Sequence, residues 1–164
     1  MPYTENNDVR LYFEETGSGF PIVFVHEFAD DCQSWAQQVA HFSRRYRCVT
    51  FNARGYPPSD VPEDASLYSQ ALAADDIAAV MRDAGIDRAH VVGISMGGFA
   101  TLHFGLRHPE LAESLTVAAC GYGAAPEQRE QFAQESEAIA AQYDQFGAAH
   151  VAESYAAGAY RVQF

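Results

Sequence analysis

The sequence predicts an α/β fold, a doubly wound and mostly parallel sheet preceded by an antiparallel hairpin. Three observations carry this expectation. Short apolar runs of strand length alternate with helix-period patterns along most of the chain. One run, Pro21-Ile22-Val23-Phe24-Val25-His26, is almost unbroken in apolar character, as a parallel strand covered on both faces requires. Another, Val91-Val92-Gly93-Ile94-Ser95-Met96-Gly97-Gly98, stops abruptly at a serine between glycines, and a helix pattern follows at once.

Taken in order, Tyr3-Thr4-Glu5, the turn Asn6-Asn7-Asp8 and the alternating Val9-Arg10-Leu11-Tyr12-Phe13-Glu14 form the hairpin. Gly17-Ser18-Gly19 turns the chain into the apolar strand at Pro21. Beyond it, Asp30 or Asp31 can cap a helix whose Trp35, Val39 and Phe42 recur at helical spacing and face the core. Tyr46-Arg47-Cys48-Val49-Thr50-Phe51 is the next strand, ending in the turn-rich loop 52–60. Residues 69–84 show an amphipathic stripe of Ala73, Ile77, Val80, Met81 and Ala84, with Gly85 placed to end the helix. Ala89-His90-Val91-Val92 is a buried strand; residues 96–108 form a helix apolar nearly all round, as a buried helix is, stopped by Pro109. Leu115-Thr116-Val117-Ala118-Ala119 supplies a further strand. From Ala124 onward the chain is rich in Ala, Gln and Glu, with Phe132, Ile139 and Tyr143 sparsely spaced, which predicts helices covering the sheet edge.

The functional signal is Gly93-Ile94-Ser95-Met96-Gly97, a Gly-x-Ser-x-Gly turn between a buried strand and a helix. Such a nucleophile elbow holds the serine in a strained backbone conformation and pushes its hydroxyl outward, and small residues two positions to either side keep neighbouring elements from clashing. Gly93 and Gly97 meet that need.

Bulk properties exclude several classes. At 164 residues the chain suits one domain with a sizeable core. Its net charge of −12 argues against nucleic acid and anionic membrane surfaces. Residues 1–10 are polar and acidic, so no signal peptide is expected, and no apolar stretch is long enough to span a bilayer. Cys32, Cys48 and Cys120 lack metal-ligand spacing and fit small buried side chains in a reducing cytoplasm, the expected location. No metal or organic cofactor is expected. The glycine pattern lacks the phosphate-cradling Gly-x-x-x-x-Gly-Lys spacing.

Over residues 9–122 the chain resembles the N-terminal part of an α/β-hydrolase, in particular the cofactor-free esterase, haloperoxidase and perhydrolase branch. Three spaced motifs carry the resemblance: His26-Glu27-Phe28 at the place of the family's oxyanion loop, Asn52-Ala53-Arg54-Gly55-Tyr56-Pro57-Pro58-Ser59 for its Asp-x-Arg-Gly-x-Gly-x-Ser loop, and the elbow. It implies Ser95 as nucleophile, with the backbone N–H groups of Phe28 and Met96 as the oxyanion hole. It further implies His26, Gly93 and Gly97 as support and the side chains of Phe28 and Met96 as lining for a small-molecule substrate. Residues 1–122 then form the N-terminal part of the core, and 123–164 the start of a helical cap. Glu27, Asn52 and Pro57 stand where the family has Gly, Asp and Gly; Arg54 is expected in a solvated or structural role, with pairing to an acid beneath the site as the alternative.

The resemblance also implies an acid and a histidine following the nucleophile, as a serine hydroxyl needs a base within hydrogen-bond reach. His26, His41, His90, His103 and His108 all sit at positions unsuited to that task, and His150 in the cap has no partner acid in the pattern. Cys120-Gly121-Tyr122 offers no acid where some relatives place theirs. The expectation is therefore an N-terminal piece of a serine hydrolase acting on an ester or related carbonyl compound. The alternatives are a haloperoxidase or perhydrolase, and a non-catalytic remnant or interaction domain. A C-terminal half or another copy is expected to cover the open sheet edge, so that the isolated piece aggregates or associates.

Overall fold

The structure, a computed structural model, describes residues 3–156. Residues 1–2 and 157–164, including the last stretch of the expected cap, lie outside the described residues. By contacts the chain divides into two compact units, Met1–Cys120 and Gly121–Phe164.

In the first unit six strands form one sheet: β1 (Tyr3–Asn6), β2 (Val9–Thr16), β3 (Phe20–Val25), β4 (Tyr46–Phe51), β5 (Ala89–Ile94) and β6 (Ala112–Ala118), in the order β1-β2-β4-β3-β5-β6. β1 and β2 make the antiparallel hairpin, with Tyr3 opposite Tyr12. Its two-residue turn places Asn7 and Asp8 at φ 53° and 61°, the left-handed conformation that Asn and Asp tolerate best among residues with side chains. β2 joins β4 antiparallel; β4, β3, β5 and β6 are mutually parallel neighbours.

Successive residues of β3 point to opposite faces, and both faces are covered, which is why the run is apolar throughout. Val23 and Val25 join a large cluster with Leu11, Val49, Val91, Phe104 and the stripe of α2 (Gln70–Asp83). Ile22 and Phe24 face a smaller cluster with Cys48, Trp35 and Val39 under α1 (Ala36–Phe42). Asp31 is the cap there, accepting from the Gln33 N–H, but it opens a short 3-10 turn over Cys32–Trp35 that leads into α1. Trp35 packs 5.0 Å from Phe24, while Phe42 stays 37% exposed at the edge of the stripe.

α2 is capped by Ser69, whose hydroxyl accepts from the Leu72 N–H, and is ended by Gly85 at φ 65°. α3 (Met96–Arg107) corrects the expectation of burial all round. Ala100, Thr101 and Phe104 face the core, but Leu102 and Leu106 are 43% and 73% exposed. The physical reason is that, among the described residues of this unit, the sheet and α2 supply the main packing of α3, on the flank away from Leu102 and Leu106. β6 is likewise exposed along most of its length.

In the second unit a turn at Pro126–Gln128 leads to α4 (Arg129–Ala156), broken at Gly147, whose φ of 77° and ψ of 165° no helix contains. At its start the Tyr122 hydroxyl donates to Glu135 (3.0 Å) and the ring packs edge-on against Phe132.

Candidate active site

The strand order reverses between β3 and β5. β3 continues toward α1 and β5 toward α3, so the loops at their carboxyl ends part and leave a crevice, the place where open α/β sheets bind ligands. Val25 pairs with Gly93 at the end of that ladder, which brings His26-Glu27-Phe28 beside the Ser95 turn.

Ser95 has φ 53° and ψ −116°, a conformation that side chains normally avoid. Its backbone is held on both sides: its N–H donates to Ala118 O at the end of β6 (2.9 Å), and its carbonyl accepts from the Phe99 N–H (3.1 Å). The hydroxyl is not spent on capping α3. Met96 opens that helix, so its N–H is one of the first-turn donors that no helical carbonyl can satisfy, at the positive end of the helix dipole. The two glycines are steric necessities. A Cβ on Gly93 would lie closer than 3.0 Å to the Gly97 carbonyl and the Thr101 hydroxyl. One on Gly97 would strike the Val25 and His26 carbonyls, so α3 starts directly against the end of β3.

His26 is fully buried, and both ring nitrogens are committed. Nε2 accepts from the Ala53 N–H (3.0 Å), so Nδ1 carries the proton and donates to the Glu27 carbonyl (2.8 Å). Burial pushes its pKa below the usual histidine value, which keeps this neutral tautomer. The Glu27 carbonyl shares a peptide plane with the Phe28 N–H, and in a trans peptide the two point in opposite directions; His26 therefore fixes where the Phe28 donor aims. Glu27 is accommodated in place of glycine because the left-handed residue of this loop is Ala29, at φ 57°. The Phe28 side chain is 37% exposed.

The loop after β4 braces this arrangement. Asn52 is buried, its Oδ1 accepting from the Cys32 N–H (2.9 Å) and its Nδ2 donating to Pro57 O (2.7 Å). A carboxylate could not make the second bond, which needs the donor of the side-chain amide. Ser59 accepts from the Tyr12 N–H and donates to Asn52 O. The solvated alternative for Arg54 is corrected. Its side chain is 4% exposed and forms two hydrogen bonds to Asp76 of α2, at 2.7 and 2.6 Å, with a third to Leu67 O. Asp76 also accepts from Asn6. Burying a charged pair is tolerable where hydrogen bonds satisfy both ions, as here. The role is structural, tying the loop to α2 and β1.

Two residues escaped the sequence reading. Asp76 occupies a position of the α2 stripe, between Ala73 and Val80 at helical spacing; a charge on an apolar stripe was the available signal. Tyr56 lies within the Arg54-Gly55-Tyr56 loop, and no local pattern marks it. Its ring stacks edge-on against His26 (4.7 Å), and its hydroxyl lies between Ala29 and Met96.

The other histidines stand elsewhere. His90 Nδ1 meets Ser114 Oγ (2.7 Å), His108 Nε2 pairs with Asp75 (2.7 Å), His41 is exposed on α1, and His103 lies on α3. His150 lies on α4, 4.9 Å from the Phe146 ring. Cys32 and Cys48 are buried, with thiols pushed up in pKa by burial, whereas Cys120 is only half-buried.

A mostly parallel sheet with a strained serine between β5 and α3 defines the class. The family model for the alpha/beta hydrolase fold matches residues 21–155, and the chain belongs to that family. It is 34% identical over 115 residues to epoxide hydrolase 1 of Caenorhabditis elegans, covering 69% of this chain and 28% of that protein. It is 36% identical over 97 residues to 3-oxoadipate enol-lactonase 1 of Acinetobacter baylyi, covering 59% of this chain and 35% of that one. Among solved structures, an N-acyl homoserine lactone degrading enzyme superposes with a TM-score of 0.72 at 30% identity, over 88% of this chain and 52% of that chain. The chain thus spans 28% and 35% of the length of these two curated relatives.

Proposed function

We propose that the chain carries the nucleophilic part of a serine hydrolase acting on an ester or lactone. The observation that carries this reading is Ser95 itself, held at φ 53° at the head of α3 with its hydroxyl unused as a cap. In this reaction a base takes the Ser95 proton, Oγ attacks the substrate carbonyl, and the N–H groups of Phe28 and Met96 receive the charge that develops on oxygen. The leaving alkoxide takes a proton, and water then hydrolyses the acyl-serine. The exposed Phe28 ring and the Met96 side chain border the substrate.

Chemistry favours a carbonyl substrate over an epoxide. Serine attack on an epoxide carbon would leave an alkyl ether, which water does not cleave under these conditions, whereas an acyl-serine is an ester that turns over. The lactone-degrading relatives agree with this choice.

The base and acid lie outside the residues placed around Ser95. His26 has both nitrogens engaged, and His90 and His108 have their own partners. We assign both groups to further sequence, or to another copy, pairing along the β6 edge. The share of the relatives' length that the chain spans and the exposure of β6 support this assignment.

The test is fluorophosphonate treatment of natively purified material followed by intact mass measurement, beside Ser95→Ala. A second polypeptide or a second copy associated with the chain, and an adduct on Ser95 that vanishes in the variant, are expected. No adduct on Ser95 would overturn the reading in favour of a remnant or interaction domain. Ester or lactone turnover that rises only when hydrogen peroxide is added would replace it with a perhydrolase.

A further inference from the structure

We infer that Tyr56 is a positioning residue that clamps the two backbone donors flanking Ser95 into one rigid unit. The inference rests on the serine-hydrolase reading for its catalytic meaning and on geometry for the clamp itself.

The donors come from different elements, Phe28 from the loop after β3 and Met96 from the start of α3. Stabilising an oxyanion requires that both hold their aim before charge develops, as any reorganisation during the reaction is subtracted from the benefit. His26 fixes the Glu27–Phe28 peptide from one side. The next peptide is the weak point, because Ala29 sits at φ 57° with no glycine to relieve it. Tyr56 meets that point. Its hydroxyl oxygen accepts from the Ala29 N–H (3.4 Å), and its O–H donates to the Met96 sulfur (3.6 Å). One hydroxyl thus bridges the β3 loop and the first residue of α3. The ring is itself held, edge-on against the buried His26 at 4.7 Å, and its loop is anchored by Arg54 on Asp76. From α2 the support thus passes through Asp76 and Arg54 to the loop that carries Tyr56, whose hydroxyl meets the residue after Phe28 and the side chain of Met96.

Tyr56→Phe removes the hydroxyl and keeps the ring on His26, so the fold survives. In amide hydrogen exchange on the full chain, the segments 27–30 and 95–99 are expected to exchange roughly three- to tenfold faster in the variant, with the rest of the sheet unchanged. Unchanged exchange in both segments overturns the clamp whether or not the serine reacts. On material in which Ser95 is labelled by a fluorophosphonate, the maximal labelling rate is expected to fall roughly tenfold while the half-saturating reagent concentration stays the same. A purely structural tyrosine would move exchange but leave the maximal rate alone, and that result overturns the positioning role. Absence of labelling in the unaltered chain overturns the serine-hydrolase reading alone, and the exchange comparison still decides the clamp.

Discussion

β3 and β6 are both parallel partners of β5, one on each side, yet they live in different environments. β3 is buried on both faces from Ile22 to Val25, under α2 and α3 on one side and α1 on the other. β6 presents Leu115 and Val117 at 36% and 38% exposure and, among the described residues, pairs with β5 alone. Their carboxyl ends differ in the same way. β3 runs on into His26, held at both nitrogens, while β6 contributes the Ala118 carbonyl to Ser95 and then leaves through Ala119 and Cys120. Half of the elbow's support is therefore built into a buried core, and half hangs on an exposed edge.

Four substitutions and one pH series break or sharpen this contrast. The largest effect belongs to the buried strand. Phe24→Ala should cost about 3–5 kcal/mol in denaturant unfolding, since the ring is almost wholly buried and packs on Trp35. Asp76→Ala should cost a comparable amount, about 3–5 kcal/mol, by leaving the Arg54 charge buried without its partner. Gly93→Ala, between the two strands, should cost about 1–3 kcal/mol or prevent folding, because the new Cβ meets backbone that cannot retreat.

The end of β3 also predicts a pH effect. With the folded pKa of His26 below the unfolded value, near 6.5, the unfolded chain takes up a proton that the native protein does not as the pH drops through that range. Stability from this group is therefore full above about pH 6.5 and declines below it, over a range separate from that of the carboxylates near pH 4. Melting temperatures between about pH 7.5 and pH 5.5 should fall in the unaltered chain and fall less in His26→Gln. A flat profile in the unaltered chain would show that His26 protonates as easily folded as unfolded. The smallest effect belongs to the open flank. Leu106→Lys should shift stability by less than about 0.5 kcal/mol while lowering light scattering at high concentration. A large loss there would mean that something covers α3.

Most of the fold was legible because its signals are local. The alternation of β2, the two-faced apolar run of β3, the cap at Ser69 and the stop at Gly85 each depend on residues a few positions apart. The elbow was legible for the same reason: Gly93 and Gly97 sit at fixed spacing from the serine they make room for. The braces around it were not. Asp76 finds Arg54 across 22 residues, and Tyr56 reaches Met96 across 40, so no window of sequence contains both partners.

The sequence by itself determined the order of strands and helices, the parallel sheet and the serine turn, since backbone propensity, hydrophobic period and glycine sterics act within a few residues. Only the tertiary structure decided which flank of α3 stays open, which proton His26 keeps and which acid Arg54 meets. Those outcomes are set by burial and by donor–acceptor matching between segments that are neighbours only once the chain has folded.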